Sequence, residues 1–205
     1  MENYYSRIID LLLQEELDAM GAVLIEGPKA CGKTTSAEQA ANSVIFMDDS
    51  LRRNQYLQMV ETDMRYILDG PTPRLIDEWQ IATKIWDGVR YEVDHRHADG
   101  QFILTGSAVP PAKDKEEMKH TGTGRIAWLT MRPMSLWESH DSTGDVSLKD
   151  LFSASPSSII RGSNKLSLAD IAFISCRGGW PRSLNKSNPA SSLRQAINYY
   201  EAIVR

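Results

Sequence analysis

The feature that most restricts how this chain can fold is eight residues long. Gly27-Pro28-Lys29-Ala30-Cys31-Gly32-Lys33-Thr34 matches the pattern G-x-x-x-x-G-K-[ST] at every specified position. The pattern works only as a turn between a buried strand and a helix. The turn must wrap a phosphate with its N–H groups pointing inward, which calls for the backbone freedom of glycine at Gly27 and Gly32. The helix must open at the turn, so that its dipole and its unpaired N–H groups face the anion. Both flanks are present. Ala22-Val23-Leu24-Ile25 is a continuous apolar run of the kind buried on both faces, and the spacing predicts a helix from Lys33 to about Asn42. Average residue frequencies put a chance match in 205 residues at roughly one in a hundred, and this context lowers the odds further.

The expected ligand of Gly27, Pro28, Lys29, Ala30, Cys31, Gly32, Lys33, Thr34 and Thr35 is a nucleoside triphosphate. Lys33 places positive charge near the β- and γ-phosphates, and the Thr34 hydroxyl is suited to ligate Mg²⁺. Thr35, next along, is set against the α-phosphate. Cys31 reads as a passive filler, although an oxidised or alkylated sulfur there would obstruct the site.

A second element is Leu75-Ile76-Asp77-Glu78, a short apolar run ending in acid. A carboxylate at the end of a neighbouring strand can hold Mg²⁺, which is assigned to Asp77, and Glu78 is placed to polarise an attacking water as general base. Alone, such a pair is usually a solvated turn; beside the upstream loop it gains meaning. Phe102-Ile103-Leu104-Thr105-Gly106-Ser107 is an apolar run ending in hydroxyls. If it lies between the loop strand and the acidic strand, Thr105 or Ser107 reaches the γ-phosphate or orients the water. The plain alternative is a strand ending in an ordinary turn.

Val44–Met47 and Gly124–Thr130 complete the candidate strands. Helical spacing covers Tyr4–Leu17, Leu51–Leu68 and Trp79–His97, with a break at Asp69-Gly70-Pro71-Thr72-Pro73. Buried strands alternating with helices imply an α/β fold with a mostly parallel sheet covered on both faces. Ala112–His120 is a charged segment, and Pro133–Ser139 suggests a short helix. The organisation expected is a core over 1–140, a Ser/Asp/Gly-rich linker over 141–164, and a small helical lid over 165–205. The lid would contain helices Leu166–Arg177 and Ser192–Val204. The chain ends inside a helical pattern, which suggests truncation.

Composition narrows the function. The net charge of −4 offers no basic field for a nucleic-acid backbone and leaves nucleic acid an open question. Two cysteines, Cys31 and Cys176, make neither a disulfide framework nor a zinc site. With no apolar span of membrane length and no signal-peptide pattern, a cytoplasmic location and no membrane partner are expected. His95 and His97 fall on different helix faces and do not make a metal pair. The five tryptophans lack interleaved basic residues and read as packing.

Taken together, Glu26–Thr35, Arg74–Gln80, Phe102–Ser107, Gly122–Arg125, Met131–Ser135 and Arg177–Pro181 resemble a prokaryotic AAA+-type P-loop ATPase family whose members carry an uncharacterised, nuclease-like C-terminal domain. The resemblance covers nearly the whole chain and corresponds to the N-terminal ATPase part. It implies ATP with Mg²⁺, and a five-stranded core in which the P-loop strand lies between the sensor strand and the fifth strand. It also implies Walker A roles for Lys33 and Thr34, Walker B roles for Asp77 and Glu78, and a sensor-1 stretch holding Thr105 and Ser107. Arg125 matches an arginine finger acting on a neighbouring subunit, and Arg177 a sensor-2-like contact where the lid begins. For both arginines a solvated charge or local ion pair is the alternative.

Three functions remain open on this reading. The first is an ATPase that drives or gates an attached effector, as a homo-oligomer with shared sites. The second is an ATP-dependent binding switch that rarely hydrolyses. The third, a small-molecule kinase, is weakened by the Asp77-Glu78 pair and the lack of an Arg-rich lid.

Overall fold

The computed structural model describes residues 4–106, 121–155, 157–184 and 186–204. Two compact units divide the chain: Arg7–Arg132, and Met1–Ser6 together with Pro133–Arg205. Ser107, the Ala112–His120 segment and Arg205 lie outside the described residues.

In the first unit, α1 (Ile8–Ala19) turns Ile9, Leu13 and Leu17 inward, four residues apart, as a helix with one apolar stripe must. It leads into β1 (Ala22–Glu26), then α2 (Lys33–Ala40), β2 (Ser43–Phe46), α3 (Arg53–Thr62), α4 (Arg65–Leu68) and β3 (Arg74–Asp77). A 3₁₀ turn over Trp79–Ala82 precedes α5 (Lys84–Arg96), β4 (Phe102–Gly106) and β5 (Ile126–Thr130).

The five strands form one sheet in the order β2-β3-β4-β1-β5, and every neighbouring pair is parallel. This is the α/β fold expected of a P-loop protein, with the loop-bearing strand between β4 and β5. A parallel sheet covered on both faces buries its central strands completely, which is why Ala22–Ile25 and Phe102–Leu104 read as unbroken apolar runs. Trp79, Ile85, Trp86 and Val89 pack with Leu24, Ile76 and Leu104 in the core. The register sets Thr105 beside Asp77 on one side and Ile25 on the other. Because the strands are parallel, the loop, the acidic strand end and the hydroxyl strand end all emerge at the carboxyl edge of the sheet.

Several local expectations are corrected. The segment Leu51–Leu68 is two helices, because the Asp63 carboxylate accepts from the Arg65 backbone N–H and side chain and closes a turn between them. Trp79–His97 begins as a 3₁₀ turn, since Glu78 adopts a left-handed conformation (φ 55°, ψ 43°) that the α-helix cannot include. Thr72–Pro73 is a cis peptide.

In the second unit, Pro133–Ser139 is a set of turns with no helix. Glu138 accepts from both the N–H and the hydroxyl of Ser135, closing the turn locally. The linker stretch contains a helix, Leu148–Ser153, opened by Ser147, whose hydroxyl accepts from the Asp150 N–H. Further helices cover Leu168–Arg177, Pro181–Leu184 and Pro189–Val204. The close approach of Gly179 to the Met134 carbonyl leaves no room for a Cβ, and Met134 N–H donates to the Gly179 carbonyl at 2.7 Å.

Candidate functional site

The turn leaving β1 takes its shape from its glycines. Gly27 (φ +151°) lies so close to the Met131 carbonyl that a Cβ would strike it, and Gly32 (φ +106°) supplies the left-handed residue that opens α2. Ala30 is also left-handed (φ 63°), which costs a non-glycine residue about 1 kcal/mol. Pro28, Lys29 and Ala30 form the exposed crest, whereas Cys31 is fully buried. Burial also pushes the Cys31 thiol up from its ordinary pKa, against the lowering effect of Lys33.

The loop is backed from below by the segment leaving β5. Met131 N–H donates to the Glu26 carbonyl at 2.8 Å. Arg7, buried just before α1, donates to the Cys31 carbonyl at 2.9 Å and to the Arg132 carbonyl at 2.8 Å. One guanidinium therefore ties the loop backbone to its support. Sequence reading missed it: an arginine 24 positions upstream of its partner carries no local signal.

Lys33 is 5% exposed, and its ammonium donates to the Gly27 and Pro28 carbonyls at 2.9 and 3.0 Å. Next to it, the Thr34 hydroxyl donates to Asp77 Oδ1 at 2.7 Å. The Thr105 hydroxyl donates to the same oxygen. Three residues on three elements, far apart in sequence, thus meet at one carboxylate. Thr35 is exposed, and its carbonyl accepts from Gln39.

Asp77 is 5% exposed. Burial holds its carboxyl above the ordinary range, against the two hydroxyl hydrogen bonds, and the charges of Glu78 and Asp48 push it the same way as burial. Glu38 is raised too, first by burial and then by Asp77. A buried carboxylate whose charged form is disfavoured in this way is suited to a hard cation that offsets the charge. Among the described residues no cluster of three or more His, Cys, Asp and Glu exists to hold a metal alone. The donors therefore fit Mg²⁺, which takes one or two protein oxygens and fills its shell from phosphates and water.

Glu78 follows Asp77 in its left-handed conformation, and the Gln80 side-chain amide donates to Glu78 Oε2. No sequence motif gives Gln80 a role of its own. Ser107 lies outside the described residues. Within the first unit, Arg125 is not brought to the loop. Arg125 precedes β5, and its carbonyl accepts from Ala22 N–H at the amino edge of the sheet. Its side chain donates to Asp94 at 2.8 Å. Arg177 belongs to the second unit, where it is buried and donates to Asp141 at 2.5 Å.

A family model described as an AAA domain matches residues 20–140. The match spans the loop, the acidic strand, β4 and β5, and so every candidate residue above except Arg7 and Arg177. No curated protein matches the chain.

Proposed function

The chain belongs to the AAA domain family, and from that premise we propose that it binds Mg·ATP at Gly27–Thr35 and hydrolyses it to ADP and phosphate, driving or gating an attached effector. The observation that carries this reading is the meeting of Thr34 and Thr105 on the Asp77 carboxylate beside the Lys33 ammonium.

The loop N–H groups and the start of α2 bind the phosphates. Lys33 exchanges two neutral carbonyls for phosphate oxygens, and hydrogen bonds to charged acceptors are about twice as strong. Thr34 and Asp77 would hold Mg²⁺, which when bound neutralises charge developing on the β- and γ-oxygens. Glu78 accepts a proton from the attacking water as its oxygen bonds to the γ-phosphorus and the bond to the bridging oxygen of ADP breaks. Thr105 fixes the Asp77 carboxylate and would orient the attacking water.

Arg125 is assigned to a neighbouring subunit's nucleotide. It stands a full strand, roughly 16 Å at 3.3 Å per residue, from its own loop. Homo-oligomeric assembly with shared sites is part of this reading. Arg177 is assigned a sensor-2-like contact, which would need its bond to Asp141 to exchange.

The test is Mg·ATP binding and phosphate release for wild type, Lys33→Ala and Glu78→Gln over a range of protein concentrations. Lys33→Ala should lose binding, and Glu78→Gln should bind but keep only a small residual turnover. Tight binding by wild type without turnover would replace hydrolysis with a binding switch. No binding by folded wild type would remove the nucleotide site itself.

A further inference from the structure

The chain turns sharply after Asp77. Glu78 in its left-handed conformation starts the 3₁₀ turn, and the Ile81 N–H closes it on the Glu78 carbonyl at 3.0 Å. Trp79, 2% exposed and 5.2 Å ring to ring from Trp86, anchors that turn in the core. Gln80 is thereby held on a rigid platform two residues beyond Glu78. Its amide nitrogen donates to Glu78 Oε2. Its amide oxygen is buried and accepts from no described residue. That oxygen packs so tightly against Gly106, the residue after Thr105, that a Cβ at Gly106 would collide with it.

These contacts make sense together. A glutamate's terminal torsion is soft, so an unsupported carboxylate samples many orientations. An N–H donor on one oxygen fixes the plane. The amide supplies that donor without adding charge, whereas a carboxylate at position 80 would repel Glu78 and an apolar group would donate nothing. The amide is held with its oxygen turned away from Glu78, even though this leaves a buried acceptor without a described donor, which is an unfavourable arrangement. Gly106 makes the necessary space at the end of the strand that also delivers Thr105.

We propose that Gln80 is a positioning residue that sets the orientation of Glu78 for proton abstraction, an inference that rests on Glu78 being the general base. It acts through Glu78 and touches no phosphate. Its loss lowers kcat and spares ATP binding.

The test measures phosphate release and ATP affinity of the full chain for Gln80→Met and Gln80→Glu, each alone and combined with Glu78→Gln. Methionine keeps the length and removes the donor; glutamate keeps the shape and adds a like charge. Both single variants should lose about tenfold or more in kcat, the glutamate more, with ATP affinity within about twofold of wild type. Retained affinity also reports that the fold survives. In the Glu78→Gln background, neither change should lower the residual rate further, the non-additivity expected of residues acting as a unit. Wild-type kcat in both Gln80 variants, a matching loss of affinity, or an additive loss in the double variants would overturn the proposal. A Glu78→Gln protein that turns over like wild type would instead remove the general-base reading, and the role of Gln80 with it.

Discussion

Asp77 carries opposing demands in one side chain. Its carboxyl is raised by burial and by the neighbouring charges of Glu78 and Asp48, so the folded protein holds that proton more tightly than the unfolded chain does. Stability is therefore lost as pH rises from the unfolded carboxylate range through the raised folded value. Asp77→Asn removes this liability while keeping an oxygen for the two threonine hydroxyls. Without nucleotide or metal, its unfolding temperature should exceed that of wild type at neutral pH, and the gain should shrink toward about pH 4. Its Mg·ATP affinity should fall. Thermal melts at both pH values check the first point, calorimetric titration the second; a less stable Asn protein at neutral pH would refute the electrostatic account. Arg7 has the reverse character. Arg7→Met takes a charged donor from two backbone carbonyls and should cost roughly 1–3 kcal/mol in urea denaturation. It should also weaken ATP binding, because the Cys31 carbonyl is part of the loop.

At the level of elements, the sheet was legible because parallel strands buried on both faces leave a strong trace. The runs around Val23, Ile76 and Ile103 each mark a strand within a residue or two of its place. Leu104 sits at the centre of that sheet with no exposed surface, and Leu104→Ala should destabilise by about 2–5 kcal/mol in chemical denaturation. What was not legible depended on single side chains overriding periodicity. Asp63 cuts one expected helix in two, and Glu78 turns the start of another into a 3₁₀ turn. Ser135 and Glu138 make the reciprocal bonds that open many helices, yet only turns follow them. The helix at Leu148–Ser153 did carry a signal, Ser147 three residues before Asp150, inside a stretch whose composition pointed to a linker. The candidate site divides in the same way. Lys33, Thr34, Asp77 and Glu78 stand in short motifs with assigned roles; Gln80 ends one of those motifs without a role of its own, and Arg7 acts through contacts that no motif encodes.

For the molecule as a whole, the parallel sheet gives the site a direction. Everything gathered around Asp77 lies at the carboxyl edge, and Arg125 lies at the amino edge in an exposed pair with Asp94. Solvent screens that pair, so it contributes little to holding the arginine. If assembly brings Arg125 to a neighbour's nucleotide, Arg125→Ala and Lys33→Ala should each lack turnover alone. An equimolar mixture should then recover roughly a quarter of wild-type activity, from sites that combine one intact half of each subunit across a head-to-tail interface. No recovery from a mixture shown to co-assemble would place Arg125 outside the reaction. Among the described residues, no helix is long and apolar enough to cross a membrane.

The burial of Cys31 has a kinetic consequence. Of the two thiols, Cys176 is exposed, while Cys31 is sealed in the loop and biased toward its unreactive protonated form. Alkylation of the native protein should therefore proceed in two phases, a fast one at Cys176 and a slow one gated by transient opening of the loop. The slow phase is a built-in clock for local unfolding, read by mass spectrometry from the alkyl group gained at Cys31. A ligand that closes the loop should slow that clock in proportion to its occupancy, so the chain's own sulfur can report binding before any turnover is measured.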